Sequence, residues 1–112
     1  MKWTVSLKKN AQFKQLYKMG KAASNNLLLI FVAKNDCGRN RLGISVSKKT
    51  ANKAVWRNKM RRRVKEAYMR IESNILQGYD IVVVPRAGIH SAGFDKIVSS
   101  LSHLFKRQGL HR

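Results

Sequence analysis

Acidic residues are scarce in this chain. Its 112 residues include 5 Asp or Glu against 24 Lys or Arg, a formal net charge of +19. Mixed-sign charge is the usual means of keeping a surface soluble, so a balance this one-sided points instead to a polyanionic partner. Cysteine occurs once, as Cys37 in NDCGRN, which excludes an internal disulfide and fits a reducing cytoplasm. Long hydrophobic runs are missing: LLLIFVA at 27–33 is far short of the roughly 20 residues a spanning helix needs. The opening MKWTVSLKKN lacks the apolar centre of a signal peptide, so no membrane partner is expected. Proline also occurs once, and neither repeats nor low-complexity stretches mark a linker. The expectation is a single domain over 1–112.

Reactive constellations are equally sparse. Phosphodiester hydrolysis by paired metals needs converging carboxylates, yet Asp36, Glu66, Glu72, Asp80 and Asp95 are scattered along the chain. His90, His103 and His111 lack zinc-ligand spacing, and Cys37 has no neighbouring thiol. No nucleophile elbow or phosphate-binding loop is present, and the glycines at 88 and 93 do not make one. The chain is therefore expected to hold no metal or cofactor by itself and to take no small-molecule substrate. A self-sufficient nuclease is disfavoured.

What remains is a folded body, since 44% of the residues are hydrophobic, too many for a disordered basic tail. Asn10 is placed to cap a helix through Met19 that joins Phe13, Leu16 and Tyr17 on one face and stops at Gly20. Residues 26–34 read as a strand covered on both faces, and RLGISVS at 41–47 alternates Leu42, Ile44 and Val46 with Gly43, Ser45 and Ser47. These two strands are expected to pair antiparallel. A helix follows from about Asn52 to Ile75, with Met60, Val64, Ala67, Tyr68, Ile71 and Ile75 along one arc. YDIVVVP reads as a buried strand, and a last helix, capped near Ser91, aligns Phe94, Ile97, Val98, Leu101, Leu104 and Phe105 before Gly109. The pattern predicts an α/β (α+β) sandwich with helices packed on one sheet.

Two features bear on binding. The remainder of the long helix carries Arg57, Asn58, Lys59, Arg61, Arg62, Arg63, Lys65 and Arg70, a nearly single-signed face suited to phosphates because guanidinium forks bridge phosphate oxygens. The aromatics Phe13, Tyr17 and Phe31 have two readings. They belong to the core, or they line a shallow groove over the small row Gly43, Ser45 and Ser47 with Lys48 and Lys49 at its rim, where unpaired bases could stack. A purely structural RNA-packing protein, such as a ribosomal one, satisfies the composition as well.

The stretch RLGISVSKKTANKAVWRNKMRRRVKEAY resembles the hallmark of the bacterial ribonuclease P protein subunit. There a strand ending in Ser-Lys-Lys leads to a helix opening Asn-x-Ala-Val-x-Arg-Asn. LKKNAQFKQLYKMG, DIVVVPRAG and LSHLFK fall in the order of that family, so the resemblance covers nearly the whole chain. It implies a small mixed sheet packed with three helices and a left-handed strand-helix-strand crossover, against the general right-handed preference. It also implies an accessory subunit whose RNA partner is the catalyst in removing the 5′ leader from precursor tRNA, with Mg²⁺ used by the holoenzyme. Carried over by position, Arg57, Asn58, Arg61 and Arg62 would meet the catalytic RNA, with Lys59 in the place of a family Arg, joined on charge by Lys53 and Lys65. Phe13, Tyr17 and Phe31, with Ser45, Ser47 and Lys48, would form the cleft for the single-stranded leader. The family's Arg-Asn-Arg reads Arg57-Asn58-Lys59 here, replacing a fork by a point charge. Tyr17 stands where Phe is common.

Overall fold

The computed structural model describes all of residues 1–112. Five strands and three helices alternate as β1 (Val5–Ser6), α1 (Asn10–Met19), β2 (Lys21–Ser24), β3 (Leu28–Lys34), β4 (Arg41–Ile44), α2 (Ala54–Ile71), β5 (Tyr79–Pro85) and α3 (Phe94–Arg107). The strands form one mixed sheet in the order β1-β4-β5-β3-β2. The β4-α2-β5 segment is a parallel strand-helix-strand unit, whereas β3 runs antiparallel to β5.

The two strands read as a hairpin pair are therefore not neighbours. β5 lies between β3 and β4, pairing Phe31 with Val82 on one side and Gly43 with Val82 on the other. Burial explains the insertion: Ile81, Val82 and Val83 are all fully buried, so a strand with no polar face belongs at the centre of the sheet, shielded on both sides. β1 and β2 were not expected from the sequence. Both lie at sheet edges and are largely exposed, without the apolar alternation that marks a half-buried strand.

The main core lies between one face of the sheet and the helices α2 and α3. Leu28, Ile30, Val32, Leu42, Ile81 and Val83 from the sheet meet Met60, Val64, Ala67, Tyr68 and Ile71 from α2 and Ile97, Leu101, Leu104 and Phe105 from α3. These are the apolar arcs that the 3.6-residue periodicity defines. Helix boundaries shift by a few residues. Lys9, not Asn10, is the N-cap of α1, and the Gln12 side chain accepts a hydrogen bond from the Lys9 N–H at 3.3 Å. α2 starts after Lys53 and passes into a tighter turn at Glu72–Asn74. α3 starts after Gly93 because Ser91 ends a separate short turn, Ala87–Ser91, where its hydroxyl donates to Gly88 O.

A buried polar network fastens the N-terminal residues to the end of α2. Glu72, only 4% exposed, accepts backbone N–H groups of Lys2 at 2.9 Å and Trp3 at 3.2 Å. Burial pushes its carboxyl up, but hydrogen bonds from Thr4, Lys2 and Trp3 and the nearby N-terminal ammonium outweigh this and hold it below the ordinary carboxylate range. A depressed folded pKa contributes stability that is present above the unfolded value and lost as pH falls through the folded one. Acid should thus release residues 1–4 before the core unfolds, and Glu72→Gln should remove that step. The check is amide exchange at Lys2 and Trp3 across an acid titration. Identical profiles for the two proteins would contradict the assignment.

Candidate nucleic-acid interface

The opposite sheet face is covered only in part, by α1. Leu7, Leu16 and Val82 form a small second core there, with Phe13, Phe31, Ala33 and Val84 packed around it. Phe31, Val82 and Gly43 lie in one row across β3, β5 and β4. The ring of Phe13 rests on Gly43 so closely that a Cβ at that glycine would lie 2.5 Å from Phe13 Cζ. The space left by the missing side chain of Gly43 is therefore filled by an aromatic ring, where the sequence suggested room for a ligand. Tyr17 meets Phe31 edge-on, with centroids 5.0 Å apart and planes at 80°, a favoured aromatic geometry. Phe13 and Phe31 are half-buried and Tyr17 is 40% exposed. The trio thus packs a small core and still presents ring surface.

One end of this face is closed by Arg41 and Asp80, whose forked pair has contacts of 2.6 and 2.7 Å. Asn35 donates to the same carboxylate at 2.9 Å. Toward the other end, Leu29, Val84 and Ser45 are half-buried, and Ser45 extends the ladder by donating its N–H to Val83 O. Ser47 lies past the end of β4 and serves a turn. Its hydroxyl accepts the Thr50 N–H at 3.2 Å and contacts the Thr50 hydroxyl at 3.1 Å. Lys48 and Lys49 are exposed on that turn.

The cationic residues of α2 divide into two flanks around its buried arc. Arg61, Arg62 and Lys65 line an open groove of about 260 Å³ at the β1–β4 side, and Phe13 lines it too, with Leu7, Leu42 and Ile44. The structure thereby brings an aromatic of α1 together with three cations of α2, a juxtaposition no sequence spacing announces. Arg61 also donates to Asn58 Oδ1 at 2.9 Å, one turn back. Arg57 is half-buried, and its guanidinium donates to Ala51 O at 3.0 Å, bracing the turn that carries Lys48. Lys53 precedes the first turn of α2 and is exposed. Lys59 lies apart from this group: its Nζ sits 5.5 Å from the Trp56 ring centroid on the other flank. Of the acids, Asp80 and Glu72 are committed to the contacts described above.

The comparisons with known proteins agree with one another. The Ribonuclease P family model matches residues 1–109. A ribonuclease P protein component of Clostridioides difficile is 45% identical over 105 residues, covering 93% of this chain and 91% of its own length. One from Clostridium botulinum is 40% identical over 106 residues, covering 94% and 95%. Among solved structures, the Staphylococcus aureus RNase P protein superposes with a TM-score of 0.84 at 34% identity, covering 98% of each chain. The Thermotoga maritima RNase P protein gives 0.83 at 34% identity, covering 91% of this chain and 96% of its own. With its mixed sheet, its three helices and its basic α2, the chain belongs to the ribonuclease P protein family, the protein component of the ribonucleoprotein that matures the 5′ ends of tRNA.

Proposed function

We propose that this subunit grips two RNAs at once: the catalytic RNA through α2, by Lys53, Arg57, Asn58, Lys59, Arg61, Arg62 and Lys65, and the single-stranded 5′ leader of precursor tRNA through the face bearing Phe13, Tyr17 and Phe31. Ser45, Ser47 and Lys48 flank the leader on this reading. Bond cleavage belongs to the RNA, with Mg²⁺ held there, and the protein, a cytoplasmic subunit, aids substrate binding and widens the range of usable substrates by holding the leader. The observation that carries the reading is the groove where Phe13 faces Arg61, Arg62 and Lys65. There the aromatic face adjoins the cationic flank of α2: rings suit the bases of an unpaired strand, and the cations beside them suit the backbone of a structured RNA, so the two RNAs meet side by side along this groove.

The test separates the leader from the rest of tRNA. Phe13→Ala and Tyr17→Ala should weaken holoenzyme binding of precursor tRNA by about 5- to 150-fold, the range expected for loss of one base stack, and leave mature tRNA unchanged. Gly43→Ala should act in the same direction, since its new Cβ displaces the Phe13 ring. Equal losses for precursor and mature tRNA would reject the leader assignment.

A further inference from the structure

The second flank of α2 carries an aromatic that the reading above does not use. Val55 is 66% exposed and Trp56 46% exposed, at the start of the helix and outside its buried arc. At 100° per residue, Trp56, Lys59 and Arg63 fall within about 60° of one another. This stripe faces the Ala87–Ser91 turn and the residue after it: Arg63 donates to Ala92 O at 3.1 Å. Beside Trp56 is a cleft of about 50 Å³ with Met60 and Ile89 as its floor and Lys59, Arg63 and His90 at its rim. His90 is fixed there, its Nε2–H donating to Thr50 O at 2.8 Å.

An exposed indole ringed by cations narrows the occupant. A second copy of a chain carrying +19 is repelled, and a purely apolar partner would strand Lys59, Arg63 and His90. A planar group on a polyanion satisfies both halves of the patch: the ring stacks on the indole and the adjoining phosphates meet the cations. We propose that Trp56, with Lys59 and Arg63, is a stacking site for one unpaired nucleobase of the RNA partner, distinct from the Arg61–Lys65 groove. The inference rests on the reading of α2 as an RNA-binding helix. It also gives Lys59 a role beyond a phosphate contact, since its ammonium lies 5.5 Å from the centroid of the indole.

The experiment uses the full chain and the ribonuclease P RNA, in a Trp3→Phe background so that Trp56 is the only tryptophan. Adding RNA should quench the Trp56 emission. Trp56→Phe, which keeps a ring, should bind within about threefold of the parent, whereas Trp56→Leu and Trp56→Ala should bind about ten- to hundredfold more weakly, with circular dichroism confirming that each is folded. Unchanged emission, or Trp56→Leu equal to Trp56→Phe, would overturn the stacking site. If Trp56→Ala binds like the parent while a triple Ala variant at Arg61, Arg62 and Lys65 does not, this site falls and the RNA-binding reading of α2 stands. If the triple variant alone binds normally, the Arg61–Lys65 groove falls and the stacking site stands.

Discussion

Replacing Arg61, Arg62 and Lys65 together by Ala should weaken assembly with the ribonuclease P RNA by about two orders of magnitude at ~0.1 M salt, and the slope of log affinity against log salt should fall by roughly two units. Each phosphate contact releases about 0.7 to 0.9 of a counterion, so three contacts account for both figures. The free protein should respond in the opposite sense. Removing three cations lowers the formal charge from +19 to +16, relieving self-repulsion in a chain with only one ion pair. Arg62 and Lys65 are exposed, and Arg61 gives up one hydrogen bond to the exposed Asn58, so little packing is lost. Arg57 is left in place because it braces the Ala51 carbonyl, where Ala would confuse a fold effect with a binding effect. Filter binding at several salt concentrations, paired with thermal melts of the free protein, reads both signs. A slope equal to that of wild type would show that this flank meets no phosphate.

The helices were legible in the sequence because their burial follows a local period. Met60, Val64, Ala67, Tyr68 and Ile71 recur at three and four residues, and each is buried. Adjacency in the sheet has no such local code. The turn after β3 and the alternation in β4 suggested a hairpin, yet the neighbour of each is β5, more than thirty residues further on. Side-chain roles decided by tertiary contact were also hidden. Asn40 reads as one more polar loop residue, but it is fully buried and satisfied on every side: its amide N–H donates to Gln77, its side-chain nitrogen to Tyr68 and Leu76 O, and its side-chain oxygen accepts from Tyr79. The candidate site was legible as residue types through the family resemblance. That Phe13 would seat on Gly43 and share a groove with Arg61 depends on where α1 crosses the sheet, which the sequence does not encode locally. Trp56 carries a local signal as well, as the one aromatic residue of α2 that lies outside the helix's buried arc.

Tyr68→Ala should be the most destabilising single change in the chain, at about 3–5 kcal/mol for the lost aromatic ring plus about 1–3 kcal/mol for the polar groups it leaves behind. Tyr68 is fully buried and packs edge-on against Phe105 at 6.0 Å, at the seam of α2 and α3. Its hydroxyl joins Thr4 at 2.7 Å and receives the Asn40 side-chain N–H at 3.2 Å, tying β1 and the β3–β4 loop to α2. Burial raises the phenol above its ordinary pKa, against the opposing hydrogen bonds from Thr4 and Asn40, so it stays neutral and able to donate. Tyr68→Phe separates the two contributions: it keeps the ring and should cost only the 1–3 kcal/mol of orphaned partners. Urea unfolding measures both, with midpoints shifting at constant m. The loss in Tyr68→Ala is comparable to the whole stability of a typical domain, about 5–15 kcal/mol, and this chain also bears strong self-repulsion. The variant should therefore be largely unfolded alone in low salt and regain structure on the catalytic RNA. A ligand at a thousandfold its Kd contributes about 4 kcal/mol to the folded state. A Tyr68→Phe variant as stable as wild type would show that the hydroxyl network holds nothing together, and the N-terminal strand would then owe its place to Glu72 and the ladder to β4 alone.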